Sequence, residues 1–382
     1  MQADHTTLQD TVAQLARTEG YLLADPGNTD LLARAIDQSL AAGALEQALA
    51  HVQDAMARYP ADPFFRYRHA HVLNALKQWG EAAVIYSALL EQHADVGIAS
   101  SLAQCLVQLG LHQGALDTMT PWLADPALDP AAVTALVRAY HHTGALDKAI
   151  AFATEHHARL AGEPAFLGAA SLACLDQGDL ERAGAWSAAA LALDAQAAEA
   201  LVVRATIALA QADSEGAIAA FKQVLASHPA EGRSWSGLGM ASLLRRDLGG
   251  AVVQLEQALA YMPGHIGTWH ALGWCKLFGD DLDGAEAAFT SAMALDRNFG
   301  ETHGAVAVVA ALKGQRGIAE AAIERALRLD REGLSARYAQ AVLSGEAGDP
   351  GRLRSVVLDA MGGRAGPTGE DMAQMVARLA RH

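Results

Sequence analysis

Residues able to do chemistry cluster in three ways in this chain: neighbouring histidines (His69 with His71, His141-His142, His156-His157), a short acidic run (Asp280-Asp281-Leu282-Asp283-Gly284), and three cysteines (Cys105, Cys174, Cys275). Two ligands offered to one metal from a single helix must stand a turn apart, at i and i+4, and none of the histidine pairs has that spacing. The acidic run lacks the alternating ligands and the distal bidentate glutamate of a calcium loop. It reads instead as a solvated turn that opens a helix, where acidic side chains favour the helix dipole. No glycine-rich phosphate loop, nucleophile elbow or Cys-x-x-Cys pair occurs. Catalysis would have to be assembled from scattered residues, so the chemistry-bearing set argues against an enzyme, a metal and a cofactor.

The elements that would position such residues follow from a repeat. An alanine returns every 34 residues at Ala48, Ala82, Ala149, Ala183, Ala217, Ala251, Ala285 and Ala319, with Ala115 one residue early. Around each, apolar residues recur at three-and-four spacing in two runs, as in Trp235, Leu238, Leu243 and then Val252, Leu255, Leu259. That is helical periodicity, so each copy predicts a helical hairpin. The break between runs carries Gly43, Gly110, Gly144, Gly178 or Gly314 five residues before the alanine, where a left-handed residue costs glycine least. Pro60, Pro229 and Pro263 close second helices. Small residues at Gly239 and Ala251 predict close helix approach, with Trp235 and Leu255 filling the space beside them.

The fullest copy holds Trp235, Leu238, Gly239, Ala251, Leu255, Ala258 and Pro263, and the next holds Trp269, Leu272, Gly273, Ala285, Phe289 and Ala292. These residues resemble the tetratricopeptide repeat. The resemblance implies an all-α, right-handed superhelical solenoid of antiparallel helix pairs in which each repeat touches only its neighbours. Nine hairpins are expected over 29–333, namely 29–62, 63–95, 96–129, 130–163, 164–197, 198–231, 232–265, 266–299 and 300–333. An N-terminal capping helix is expected within 1–28, over Thr11 to Leu23. A degenerate tenth repeat spans 334–361. A Gly-rich break then leads to an amphipathic C-terminal capping helix within 362–382, with Met372, Met375, Val376 and Leu379 on one face. A solenoid core grows along an axis, so 382 residues are expected to form one uncut array.

Charge narrows the partners. With 28 basic against 43 acidic residues the formal charge is -15, and no Lys/Arg cluster lies on one helix face, which argues against nucleic acid. No apolar run approaches the roughly 20 residues that span a bilayer. The first residues, Met1-Gln2-Ala3-Asp4-His5, have neither the positive segment nor the apolar run of a secretory signal. The three cysteines fall in first helices of separate repeats and read as reduced core residues. Together these predict a cytoplasmic protein and leave self-association open.

In repeats of the resembled family the first helices line the concave face, and positions 2, 5, 9, 12 and 13 point into it. Carried onto this chain, the second repeat offers Phe64, Tyr67, His71 and Asn74, and the fourth offers Arg138, His141 and His142. The seventh offers Arg233, Ser236, Met240, Leu243 and Leu244; the eighth His270, Trp274, Leu277 and Phe278; the ninth Glu301, Val308 and Leu312. The implied groove is polar and aromatic in its N-terminal half and apolar in its C-terminal half. The Lys/Asn two-carboxylate clamp for acidic chaperone tails is absent from these positions. An open apolar stripe predicts a covering partner, a protein or peptide segment with an apolar face, anchored by Trp274 and Phe278. The competing expectation is that these side chains pack between first helices. Four functions fit: a protein-interaction scaffold, a chaperone or assembly factor for a secreted or multi-subunit component, a regulatory subunit that senses a peptide or small ligand, or an accessory subunit of a glycosyltransferase or other enzyme.

Overall fold

The structure is a computed structural model that describes residues 2–125 and 128–345. Among them are twenty α-helices, one short 3-10 helix and no strand. Helix α1 (Gln2–Ala24) precedes nine antiparallel pairs: α2 (Thr29–Ala41) with α3 (Leu45–Arg58), α4 (Pro63–Ala75) with α5 (Trp79–Gln92), α6 (Val96–Gln108) with α7 (His112–Met119), and α8 (Pro130–His142) with α9 (Leu146–Leu160). There follow α10 (Pro164–Gln177) with α11 (Leu180–Leu193), α12 (Ala198–Ala210) with α13 (Ser214–Ser227), α14 (Gly232–Leu244) with α15 (Leu248–Tyr261), α16 (Ile266–Phe278) with α17 (Leu282–Leu295), and α18 (Gly300–Leu312) with α19 (Arg316–Leu329). Helix α20 (Leu334–Ser344) ends on Gly345 at φ 80°. The rest of the expected tenth repeat and the C-terminal helix lie outside the described residues.

Local chemistry explains the boundaries. Asn28, Asp62, Asp95 and Asp129 each accept a hydrogen bond from a backbone N–H in the first turn of a first helix, satisfying an orphan donor. Asp179, Asp213, Asp247 and Asp281 do the same for second helices. Every hairpin turn has one left-handed residue. Gly43, Gly110, Gly144, Gly178 and Gly314 fill it as expected, and Lys77, Ala212, Arg246 and Asp280 fill it at φ 61° in the remaining pairs. The turn geometry therefore outlasts the glycine that suits it. Helix α7 is shorter than its counterparts and passes into the 3-10 turn Thr120–Trp122, because Pro121 has no amide to continue the ladder. Helix α1 begins well before Thr11, since nothing in residues 3–10 breaks a helix.

Packing is a chain of small cores. In the first unit, Leu32, Ile36, Val52 and Phe65 form one cluster and Leu73, Tyr86 and Leu102 the next. In the second unit the sequence is Phe221 with Leu238, then Leu255, Leu272 and Cys275, then Phe289, Val308, Val309 and Ile323. The small-residue expectation is realised at Gly239, where a Cβ would lie 2.6 Å from Leu255. The Trp and Pro of the pattern also meet: the indole N–H of Trp235 donates to the Pro229 carbonyl at 2.9 Å, and that of Trp269 to Pro263 at 2.8 Å. Each tryptophan thus ties a first helix to the end of the preceding second helix.

The described residues group into two compact units that divide between Ala173 and Cys174. With contacts restricted to neighbours, no core is shared by all nine pairs, and nothing obliges the whole chain to form a single body.

Candidate functional site

The sequence-predicted residues of the first unit fall into three places. Phe64 is about half exposed (49%), with the Arg68 guanidinium 3.7 Å above its ring, and Arg68 in turn pairs with Asp37 at 2.8 Å. Tyr67 stands edge-on to buried Tyr86, and His71 Nδ1 lies 3.0 Å from the Tyr86 hydroxyl. Burial pushes the Tyr86 pKa well up and holds that of His71 down, with Asp37 partly opposing the latter. His141 is buried, while exposed His142 stacks on His112 with ring centroids 4.4 Å apart. Asn74 and Arg138 share a third place, a cavity of about 620 Å³.

Most of that cavity's lining comes from the first helices α4, α6, α8 and α10, and the rest from the turns and helix start beside them. Asn74 and Ala75 enter from the end of α4, Lys77 from the turn after it, and Trp79 from the start of α5. Gln104, Val107 and Gln108 come from α6, and Asp129, Ala131, Thr134, Ala135 and Arg138 from the start and body of α8. Glu163 and Ala165 close it at the start of α10. Gln104, Gln108, Ala131, Thr134 and Ala165 sit on the set of register positions that supplied Asn74 and Arg138, so the same offsets applied to the third, fourth and fifth repeats find them. Lys77, Asp129 and Glu163 lie in turns between helices, which a register confined to helix faces does not reach. Four carboxamide or hydroxyl side chains, Asn74, Gln104, Gln108 and Thr134, stand beside alanines small enough to admit a backbone. The site holds no nucleophile beside a base.

In the second unit the expected stripe divides. Leu277 and Val308 are core residues, 6% and 0% exposed. Trp274 is half-buried, with ring centroids 5.7 Å from Phe289, 5.8 Å from Phe278 and 6.3 Å from Tyr338 of α20. Helix α20 comes this close because Gly304 of α18 has no side chain; a Cβ there would lie 2.6 Å from the Ala336 amide nitrogen. His270 sits between Phe289 and Phe299 with Nε2 2.7 Å from the Thr302 hydroxyl, and Leu243 is half-buried against the core. Glu301 is structural: its carboxylate accepts from the Leu334 amide at 2.7 Å and the Ser335 hydroxyl at 2.5 Å, capping α20. Arg233 forms a paired hydrogen bond with Asp176 at 2.9 and 2.5 Å, joining α14 to the end of α10. What remains open are Leu244, Phe278 and Leu312, at one register position in three successive first helices, with Met240 beside Leu244; they are 41%, 56%, 41% and 38% exposed.

The acidic run is used locally. Asp281 accepts from the Gly284 amide, Asp280 is the left-handed turn residue, and Asp283 pairs with Lys313 at 2.5 Å. The three cysteines are buried and free, and burial raises each thiol to about 11. Among the described residues no three His, Cys, Asp or Glu side chains converge as a metal cage, and no helix is long and apolar enough to cross a membrane.

The tetratricopeptide repeat family matches residues 202–264. No curated protein sequence matches the chain. Among solved structures, the chain is similar to YrrB, described as a TPR protein with an unusual peptide-binding site, at 20% identity and TM-score 0.40 over 49% of this chain and 97% of that one. It is similar to MamA of Desulfovibrio magneticus RS-1 at 22% identity and TM-score 0.35 over 43% and 93% of the two chains. It is also similar to the APC/C hetero-tetramer Cut9-Hcn1 at 12% identity and TM-score 0.44 over 94% and 81%.

Proposed function

Since the chain is a tetratricopeptide-repeat protein, we propose that it is a non-enzymatic scaffold that holds a segment of a partner protein against its first helices. The observation that carries this reading is the cavity of about 620 Å³ whose walls come mainly from four successive first helices. It has the size of a ligand site and a mixed lining of amides, small apolar side chains and charges, without a catalytic arrangement. The reading places the protein among interaction proteins, acting in the cytoplasm.

A specific observation favours a second role as chaperone or assembly factor. Leu244, Phe278 and Leu312 form an exposed apolar row, backed by Trp274 and edged by adaptable Met240. A row at one position of adjacent helices suits the apolar face of a partner helix.

Affinity capture from the native cells separates the two. The wild type is compared with Ala131→Trp, which fills the cavity from an exposed position, and with Phe278→Ala/Leu312→Ala. A dominant partner lost only with Ala131→Trp supports the scaffold reading, and one lost only with the double variant supports the second. A partner profile unchanged in both variants overturns both readings.

A further inference from the structure

The cavity of the first unit carries more than a volume: its charges are ordered. Asp129 precedes α8 and Glu163 precedes α10, so both carboxylates lie at the beginnings of first helices. Lys77 follows the end of α4, and Arg138 lies nine residues along α8 from Asp129. First helices of successive hairpins run in the same direction, so the cavity has an acidic edge at helix starts and a basic edge farther along. At 1.5 Å per residue the Asp129 to Arg138 separation along α8 is about 13 Å. An extended chain covers about 13 Å in four residues.

Two cations against two carboxylates leave the lining without excess charge, which disfavours a polyanion or a purely acidic tail. Between the edges stand Asn74, Gln104 and Gln108, whose carboxamides each donate and accept, as a peptide backbone requires. Ala75, Ala131, Ala135 and Ala165 leave room for that backbone.

We propose that this cavity selects an extended peptide stretch bearing an acidic and a basic side chain about four residues apart, in one orientation, the acid toward Lys77 and Arg138 and the base toward Asp129 and Glu163. The proposal rests on the reading of the cavity as a peptide site. Neither the apolar row of the second unit nor its partner enters it.

Random dodecapeptides displayed on phage are panned on the full chain, on Ala131→Trp, on Ala165→Trp as a second cavity-filling variant, and on Lys77→Glu/Glu163→Lys, with circular dichroism confirming helical content in each. The expected result is enrichment of peptides with an acid and a base four apart in one order, with recovery at least tenfold lower on the two tryptophan variants and the opposite order enriched on the charge-reversed one. Peptides that depend on the open cavity yet keep the same pattern on Lys77→Glu/Glu163→Lys overturn the charge-ordered selection and leave the peptide site standing. Enriched peptides indifferent to both tryptophan variants, or no enrichment at all, overturn the peptide site itself.

Discussion

The indole of Trp274 and the ring of Tyr338 lie 6.3 Å apart although a whole first helix, α18, separates their own helices in the array. Gly304 makes this meeting sterically feasible, and Phe289 closes the other side of the indole. Trp274 is therefore held on several sides by its own unit. Trp274→Ala is expected to cost roughly 2–3 kcal/mol, below the figure for a wholly buried tryptophan because one edge stays open. Phe278→Ala, at a more exposed site, should stay within about 0.5 kcal/mol. Denaturant unfolding of the two variants checks the contrast, and equal losses would contradict it.

The four hairpin turns without glycine at the left-handed position make a graded set. Ala212, Arg246, Lys77 and Asp280 all sit at φ 61°, which costs an L-residue about 1–2 kcal/mol, less for aspartate than for alanine. Ala212→Gly should stabilise the fold by up to about 1 kcal/mol after the extra entropy of glycine in the unfolded chain is subtracted. Asp280→Gly should gain less, and Gly144→Ala should lose about 1 kcal/mol. Melting temperatures of the three variants should fall in that order.

Glu301 caps a helix that is not its own. Removing the carboxylate in Glu301→Ala leaves the Leu334 and Ser335 amides without their acceptor, at a cost of about 1 kcal/mol. Hydrogen exchange at the start of α20 should quicken while α18 keeps its protection. Uniform exchange across both helices would show that the carboxylate does more than cap.

Acid should weaken the fold through its histidines. Burial lowers the pKa of His69, His71, His112, His156, His265 and His270 below the ordinary 6.5. The unfolded chain then takes up protons first as pH falls through 6.5, so stability present above that value is lost as pH drops toward the folded values. His270→Gln can keep the hydrogen bond to Thr302 without titrating. It should flatten the decline in melting temperature between pH 7.5 and 5.5, and an unchanged slope would remove His270 from the account.

The repeat, the turn position and the helix pairing were legible because they are periodic: Ala251 and Ala285 mark the same packing point wherever they recur. The site was legible in part. Asn74 and Arg138 were found by register, and Gln104 and Gln108 sit on the same register. Lys77 and Glu163 escaped because turn residues follow backbone geometry rather than a helical face. Leu277 and Val308 looked like groove residues and are core, packed in one cluster with Phe289 and Ile323. Helix α20 packs on that cluster through Tyr338 and Ala339, an approach that bare Gly304 permits and a register does not reveal.

The bond between Arg233 and Asp176 gives the second unit a mechanical property. Contacts between adjacent repeats alone would make an array that yields one hairpin at a time, like a string of independent links. A paired hydrogen bond from α14 to α10 bridges past α12 and couples second neighbours, so this stretch should resist extension as a block. The bridge is ionic and partly open to water, and salt screens it. The compliance of the second unit under a pulling force should accordingly rise with ionic strength.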